Sequence, residues 1–397
     1  MKRNLFRTPL DGVLTVVFGS LALYASFRFV RFIFVNARWE IIDENLKLMM
    51  VGRWPVDELI RVAVSLVVLS AWGGLIAGVI AGRQIRRGTS AIEGMSPAER
   101  TVDLIQRFGL VIASLLLLLA LTETRGPWIT VAAMVAAGVA ASLVGRRVGV
   151  RVLPKWGSRA GLLVLAGVPV VLFFYLTAAL PLARWEGFMY NLTAAAAGII
   201  LSFPLGVLLA LGRRSKLWLL QKLAVLYIEF VRAAPLYVLL LMASVSLEFF
   251  VPASLAPSKV IRSIVVFTLF TAAYLAEIVR GGLQSVPRGQ EEAAKSVGLS
   301  PVKQTFLIIL PQALRNVIPA QIGQFIILFK DTTLAGLALG ILEILNVAQA
   351  ITQQEAFRGQ GLIVETLVFV GFLFWVGSFT MSRESQRLER KLGVGTR

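Results

Sequence analysis

Charged side chains interrupt the apolar runs of this sequence at Glu229, Arg232, Glu277, Arg280, Lys330, Asp331 and Glu365. A charge inside a membrane-length apolar segment is expensive and faces either the interior of a helix bundle or a water-filled path. Tyr274, Glu277 and Arg280 follow one another at spacings of three, which sets them on one helical face. Lys330 and Asp331 stand late in the next apolar run. A zwitterionic solute needs an anionic and a cationic partner, and these groups offer both. The same residues also have a purely structural use, with Glu277 neutralised by Arg280 and Lys330 by Asp331.

The missing residue types narrow the chemistry. The chain has no cysteine and no histidine. Thiolate and imidazole metal sites are excluded, as are Cys and His nucleophile or base pairs, and no disulfide can form. No Gly-x-x-x-x-Gly-Lys-Ser/Thr phosphate loop occurs, nor even a Gly-Lys pair. No Ser-Lys or paired-Asp constellation marks an intramembrane enzyme. Catalytic and metal-binding residues are therefore not expected.

The segment 281–311 reads GGLQSVPRGQEEAAKSVGLSPVKQTFLIILP and predicts a pair of short helices with a corner between them. Pro287 and Gly289 punctuate its start. Glu291 and Glu292 follow in a first helical turn, where carboxylates complement the positive end of the dipole. Ala293 and Ala294 favour helix and add almost no bulk. Gly298 fits a helix-ending position of positive φ. Ser300 is then an N-cap and Pro301 the first residue of the second helix, which is expected to end at Pro311. A small-surfaced helix of this kind suits a groove on a partner, and the corner suits transmission of a push to the following span.

The elements that must position these groups are membrane spans. Hydrophobic residues make up 57% of the chain and charged residues 16%, against about a quarter charged in soluble domains. The mean hydropathy is +0.78. About ten helical spans are expected, on a window of roughly 19 residues: 10–35, 58–81, 109–122, 128–144, 160–182, 190–211, 223–251, 260–278, 313–337 and 362–379. The basic start 1–8 runs into the first span with no small-residue cleavage site, so that span is expected to be retained. Loop charges orient the chain, with roughly 26 Lys and Arg on the inside against about 7 outside. Both termini come out cytoplasmic. The segment 36–57 is an outer loop carrying Glu40, Asp43, Glu44 and Asp57, with Trp39 and Trp54 at the interface. The formal charge of +18 belongs to membrane flanks rather than to a nucleic-acid surface, because the basic residues sit in short loops beside apolar blocks. The chain divides near Arg184, into an N-terminal extension 1–184 of about five spans and a part 185–397 that carries most of the intramembrane charge. No inverted repeat of the secondary-transporter kind is apparent.

The 281–311 segment resembles the EAA loop of importer permeases of the ATP-binding-cassette (ABC) class. Glu292, Ala293 and Ala294 are followed at that motif's spacing by Gly298, Ile308, Leu310 and Pro311. The flanks 273–290 and 329–334, and the GRRSK at 212–216, are similar to the polar amino-acid permeases of the histidine and glutamine type. One departure is VRAAP at 231–235, where relatives have Phe-Arg-Gly-Thr-Pro. The N-terminal half, with RTPLDGVLT at 7–15, resembles the longer permease subunits of general L-amino-acid importers.

The resemblance implies an all-α polytopic membrane protein of the bacterial inner membrane whose last five helices form a type I ABC importer permease core. It implies a transport subunit and not an enzyme. ATP and Mg would be bound by a separate ATPase dimer, contacted through Glu292, Ala293, Ala294, Gly298, Ile308, Leu310 and Pro311, and this chain would bind no cofactor. The other partners implied are a periplasmic amino-acid-binding protein and a second permease, different from this chain. The rival reading, an ion-driven secondary transporter, accounts for the spans and buried carboxylates but not for the EAA spacing.

Overall fold

The computed structural model describes residues 8–86, 125–151, 159–252 and 256–393. Its α-helices of more than one turn, in order, are α1 (Pro9–Arg31), α2 (Glu40–Val51), α3 (Leu59–Arg86), α4 (Arg125–Arg151), α5 (Arg159–Ala179), α6 (Gly187–Arg213), α7 (Trp218–Ala233), α8 (Leu236–Leu241), α9 (Lys259–Ser285), α10 (Arg288–Ser296), α11 (Leu310–Asn316), α12 (Ile318–Asp331), α13 (Leu334–Leu339), α14 (Ile344–Ile351) and α15 (Ile363–Leu392). Among the described residues there are 6 helices long and apolar enough to cross a membrane, and a bent pair that makes up to 7. The chain is thus an all-α, multi-pass membrane protein. The span expected at 109–122 lies outside the described residues.

The first span begins where its caps place it. Thr8 and Asp11 bond each other's backbone in a capping box, with Pro9 in the first turn, so orphan N–H groups are met at once. None of the α1 side chains is buried. By contrast, α3 and α4 press backbone to backbone. A Cβ at Gly74, Gly78 or Gly82 would fall on the carbonyl oxygen of Gly138, Ser142 or Arg146. Small residues at four-residue intervals are what allow such approach between membrane helices. Ser70 Oγ donates across the seam to Met134 O at 2.7 Å. The paired residues rise together along both helices, so α3 and α4 run in the same direction, as the second and fourth expected spans do.

The expected outer loop 36–57 is instead largely helical. The α2 helix buries Ile41, Ile42, Asn45 and Met49, spaced along one face, and the apolar members join a cluster with Phe188, Phe329, Ile344, Phe369 and Phe374. Asn45 Oδ1 accepts from Gln354 at 2.8 Å, and the Arg38 guanidinium donates to Gln360 at 2.6 Å. Trp54 is fully buried rather than interfacial, edge-on to Trp185 at 5.9 Å. Next to it Glu186 clasps Arg53, accepting from its backbone N–H at 3.2 Å and from Nε at 3.0 Å. Gly52 and Gly187, with φ +62 and +61, make the close passage between these strands of chain possible.

The runs expected at 190–211, 260–278 and 362–379 are continuous helices, α6, α9 and α15, whereas two others are broken. The run expected at 223–251 turns through 102° between α7 and α8. Ala234 is extended, and Pro235 supplies no N–H, so the helix ends before the proline as sterics require. The run expected at 313–337 is divided among α11, α12 and α13, with breaks at Val317 and at Thr332–Thr333.

Candidate functional site

The corner at 281–311 projects from the ends of α9 and α11. Pro287 is extended and starts α10, in which Ala294 is the buried residue. Glu292 and Ala293 are exposed. Glu291 pairs with Lys295 at 2.8 Å, and this ammonium holds the Glu291 carboxyl below the usual carboxylate range. Lys295 is thus paired rather than simply solvated. Gly298 stands at φ +76 with open space around it, a conformation that costs an L side chain. Ser300 occupies the N-cap position ahead of Pro301 but makes no side-chain cap bond. Gln304 serves the turn instead, donating to Leu299 O.

The second helix does not end at Pro311. It widens into a π-turn over Gln304–Ile309 and passes the proline in α11. The wider turn relieves the clash and the missing N–H that a proline imposes inside a helix. Ile308 is half-buried, Pro311 is exposed, and Leu310 is buried against Ala210, Ile228, Val279 and Leu283. The motif therefore has an outward tip at Glu292, Ala293 and Gly298 and a root at Leu310. Gln312 reaches back to Gln290 at 3.2 Å, and Asn316 to Ser285 at 2.9 Å, which ties the tip to the spans. A cavity of about 340 Å³ opens beside α10, lined by Arg214, Gln284, Arg288, Glu291 and Ile309 among others.

At this same end of the bundle the structure gathers Glu277 and Arg280 with Arg213, which lies just beyond the span expected at 190–211. Arg213, the last residue of α6, donates to Glu277 at 2.6 Å and to Glu229 of α7 at 3.0 Å. Arg280 lies 2.9 Å from Glu277, and Arg232 lies 3.8 Å away. Arg232 also sits 5.4 Å over the Tyr274 ring. One carboxylate therefore joins three helices. Lys330 and Asp331 are not part of this network. Lys330 is exposed and Asp331 half-buried at the end of α12, just before the Thr332 break.

A further polar knot escaped the sequence reading. Glu343, 1% exposed, caps α14 through the N–H groups of Leu345 and Asn346 at 2.9 and 2.8 Å. Asn191 of α6 donates to it at 3.2 Å, donates to Thr332 Oγ1 at 3.1 Å and accepts from the Ile344 N–H. Asn191, early in an apolar run, was the available signal. Glu365 likewise accepts from the Arg38 backbone N–H at 3.4 Å, at the start of α2.

A multi-pass helical bundle with an exposed two-helix corner is the arrangement of a transport subunit of the inner membrane. Residues 202–394 match the family described as binding-protein-dependent transport system inner membrane component. The glutamate/glutamine/aspartate/asparagine transport system permease protein BztC of Rhodobacter capsulatus is 33% identical over 99% of this chain and 93% of its own length. The inner membrane amino-acid ABC transporter permease protein YhdY of Escherichia coli is 42% identical over 53% of this chain, which spans only 57% of that relative. A crystal structure of an amino acid ABC transporter with histidines matches 55% of this chain and 98% of its own at 26% identity, with a TM-score of 0.46. The chain belongs to this permease family and is an ABC transporter permease subunit, not an enzyme.

Proposed function

We propose that the chain carries amino acids across the inner membrane as one permease of an ATP-driven importer, receiving them from a periplasmic binding protein. The observation that carries this reading is the corner at 281–311, whose motif residues place a small, exposed helix tip on a root packed among three spans. Glu292, Ala293 and Gly298 form the contact with a separate ATPase dimer, buried Ala294 seats α10 against the bundle, and Ile308, Leu310 and Pro311 pass its motion to α11 and α12. ATP and Mg reside on that dimer. ATP binding favours one arrangement of the assembly and hydrolysis restores the other, a population shift between two states.

In this reading both termini are cytoplasmic, the segment 36–57 is periplasmic, and residues 185–397 form the core to which 1–184 is an extension. Lys330 and Asp331 meet the charges of the amino acid near the outer end of the path. Tyr274, Glu277 and Arg280 stand at its inner end. The partner permease is a different chain with the same core, supported by the extra N-terminal half.

The test is reconstitution in proteoliposomes. The chain alone hydrolyses no ATP. With its ATPase, second permease and binding protein it imports amino acids, and loaded binding protein stimulates hydrolysis. Uptake driven by an ion gradient with no ATPase present overturns the reading. Reporter fusions after 158 and after 383 report the cytoplasm, and one within 36–57 the periplasm; a periplasmic report after 383 overturns the orientation. Co-purification yields a second permease species, and a single species with intact transport shows a homodimer instead.

A further inference from the structure

Three buried polar atoms in the middle of the core have no hydrogen-bond partner: Thr268 Oγ1, Thr271 Oγ1 and Gln321 Nε2. Thr268 and Thr271 are 5% and 1% exposed, and Gln321 and its neighbour one turn on, Gln324, are 6% and 7% exposed. An orphaned polar group in a dry interior is a standing cost, and native structures keep few of them without a reason. A hydroxyl on a membrane helix normally settles the debt locally. Thr193, Ser263 and Thr366 each donate to a carbonyl of their own helix. Thr268 and Thr271 make no such bond.

Packing places these groups together. A Cβ at Gly198 of α6 would lie 3.0 Å from Leu328 of α12 and 3.7 Å from Phe267 of α9. At the far end, a Cβ at Gly282 of α9 would lie 2.6 Å from the Ala313 carbonyl oxygen and 2.7 Å from the Val317 side chain. The α9 and α12 helices therefore run antiparallel. One turn from Phe267 and Leu328, which share a buried cluster and both approach Gly198, lie Thr271 on α9 and Gln324 on α12, at the same level. Thr268 and Gln321 lie just above and below. No charged residue occurs on α9 between Arg262 and Glu277, or between Arg315 and Lys330 on the chain that forms α12. The polar groups at either end of this zone are satisfied: Tyr190 with Ser263 and Asn191 with Thr332 and Glu343 on one side, Arg213 with Glu277 on the other. Between those ends Thr268, Thr271 and Gln321 are left open; among the described residues Ser378 of α15 and Ser65 of α3 are further unpartnered hydroxyls, away from the α9–α12 seam.

We propose that Thr268, Thr271, Gln321 and Gln324 form a neutral hydrogen-bonding station on the amino-acid path, shut between α9 and α12 in this arrangement and opened to solvent and substrate in the other. This rests on the permease reading. Hydroxyls and amides both donate and accept, so they meet the ammonium and the carboxylate of an α-amino acid without a charge that would hold it. The unpartnered groups raise the energy of the shut state, and opening satisfies them. A station of this kind sets the rate of passage, while the binding protein sets the apparent affinity.

The experiment uses the reconstituted importer with Thr271→Val and the double variant Gln321→Leu/Gln324→Leu, each close in shape to the original. Both leave KM for uptake within twofold and lower the maximal rate at least fivefold, while the thermal midpoint of the purified complex rises or stays level, because the orphan groups have gone. Single cysteines are informative because the chain has none of its own. Thr271→Cys and Gln324→Cys react with a membrane-impermeant thiol reagent during ATP turnover and not at rest. Ala195→Cys, 4% exposed in the aromatic cluster, reacts in neither. A lowered thermal midpoint with an unchanged maximal rate shows structural water or packing and overturns the station. So does absence of labelling at both positions under turnover. Failure of the unaltered complex to import under ATP overturns the permease reading and the station with it; import by the unaltered complex with full activity in both variants overturns the station alone.

Discussion

The α3–α4 pair is a lightly buried contact and the α6–α9–α12 core a deeply buried one, and the two close by different means. The pair closes on glycine, with backbone against backbone and the Ser70 hydroxyl crossing the seam. The core also has close glycine contacts, at Gly206 and Gly282, and adds polar side chains to them: a three-helix carboxylate network, a buried Asn191–Glu343 knot and unpartnered hydroxyls and an amide between them. Glycine contacts have one good geometry and no alternative, because lost van der Waals contact finds no replacement in lipid. Ion pairs and hydrogen bonds can be exchanged for water when a path opens. The first region is built to stay shut, and the second is built to be remade.

The sharpest way to break this comparison is at the 281–311 corner, proposed above as the element that drives the second region. Gly298→Val places a β-branched residue at φ +76, at a cost of about 1–3 kcal/mol. Nothing lies within 4 Å of the new Cβ, so folding of the spans is spared and the loss falls on partner contact. Uptake falls by about 100-fold or more, the equivalent of about 2.7 kcal/mol in rate, with normal membrane abundance; near-normal uptake removes the corner from the coupling role. Glu292→Lys puts a cation near the positive end of α10 and lowers uptake by roughly tenfold, again with abundance intact, read by uptake beside immunoblots and ATPase co-purification.

The glycine seam answers to the opposite assay. Gly78→Leu drives its side chain into the Ser142 carbonyl and costs on the order of 1–3 kcal/mol or more of packing. Folded protein in the membrane drops several-fold, while uptake per folded molecule changes less than about twofold. A variant abundant but inactive would make the pair part of the working machinery. Glu277→Gln leaves Arg213 and Arg280 without their carboxylate, a loss of about 1–3 kcal/mol for a partly buried network. It lowers both the thermal midpoint and uptake by a modest factor. The smallest effect belongs to Lys295→Ala. Its pair with Glu291 is about half exposed and such pairs contribute roughly 0–1 kcal/mol, so uptake stays within about twofold.

What could be read in advance follows from which signals are local. Spans are local sums of hydropathy, so α1, α3, α6, α9 and α15 fall where expected. The positive φ of Gly298 is local too, because a helix end needs it. The bend at Pro235 and the breaks at Val317 and Thr332 were hidden by averaging over a window longer than the pieces, although Pro235 and Pro319 were plain to see. The α2 helix was hidden by its charges. Glu40, Asp43, Glu44 and Lys47 mark a wet surface, and the buried face Ile41, Ile42, Asn45 and Met49 emerges only when residues are sorted by angle. Partners of buried groups were least legible. Nothing in the local sequence joins Arg213 to Glu277 or Asn191 to Glu343, since those contacts exist only once distant helices are side by side.

The seat of α2 bears on how far the parts of this chain are interchangeable. Ile41, Ile42 and Met49 are fully buried against residues of α6, α12, α14 and α15, and Arg38 and Asn45 tether the turn around Gln354 and Gln360. A graft of 185–397 into a shorter permease's setting would leave an apolar scar where α2 had lain, beside unanswered polar atoms on Gln354 and Glu365. The leading segment is in this sense a spare wheel that has been welded on: the shorter design can be recognised inside the longer one, but it can no longer be lifted out whole.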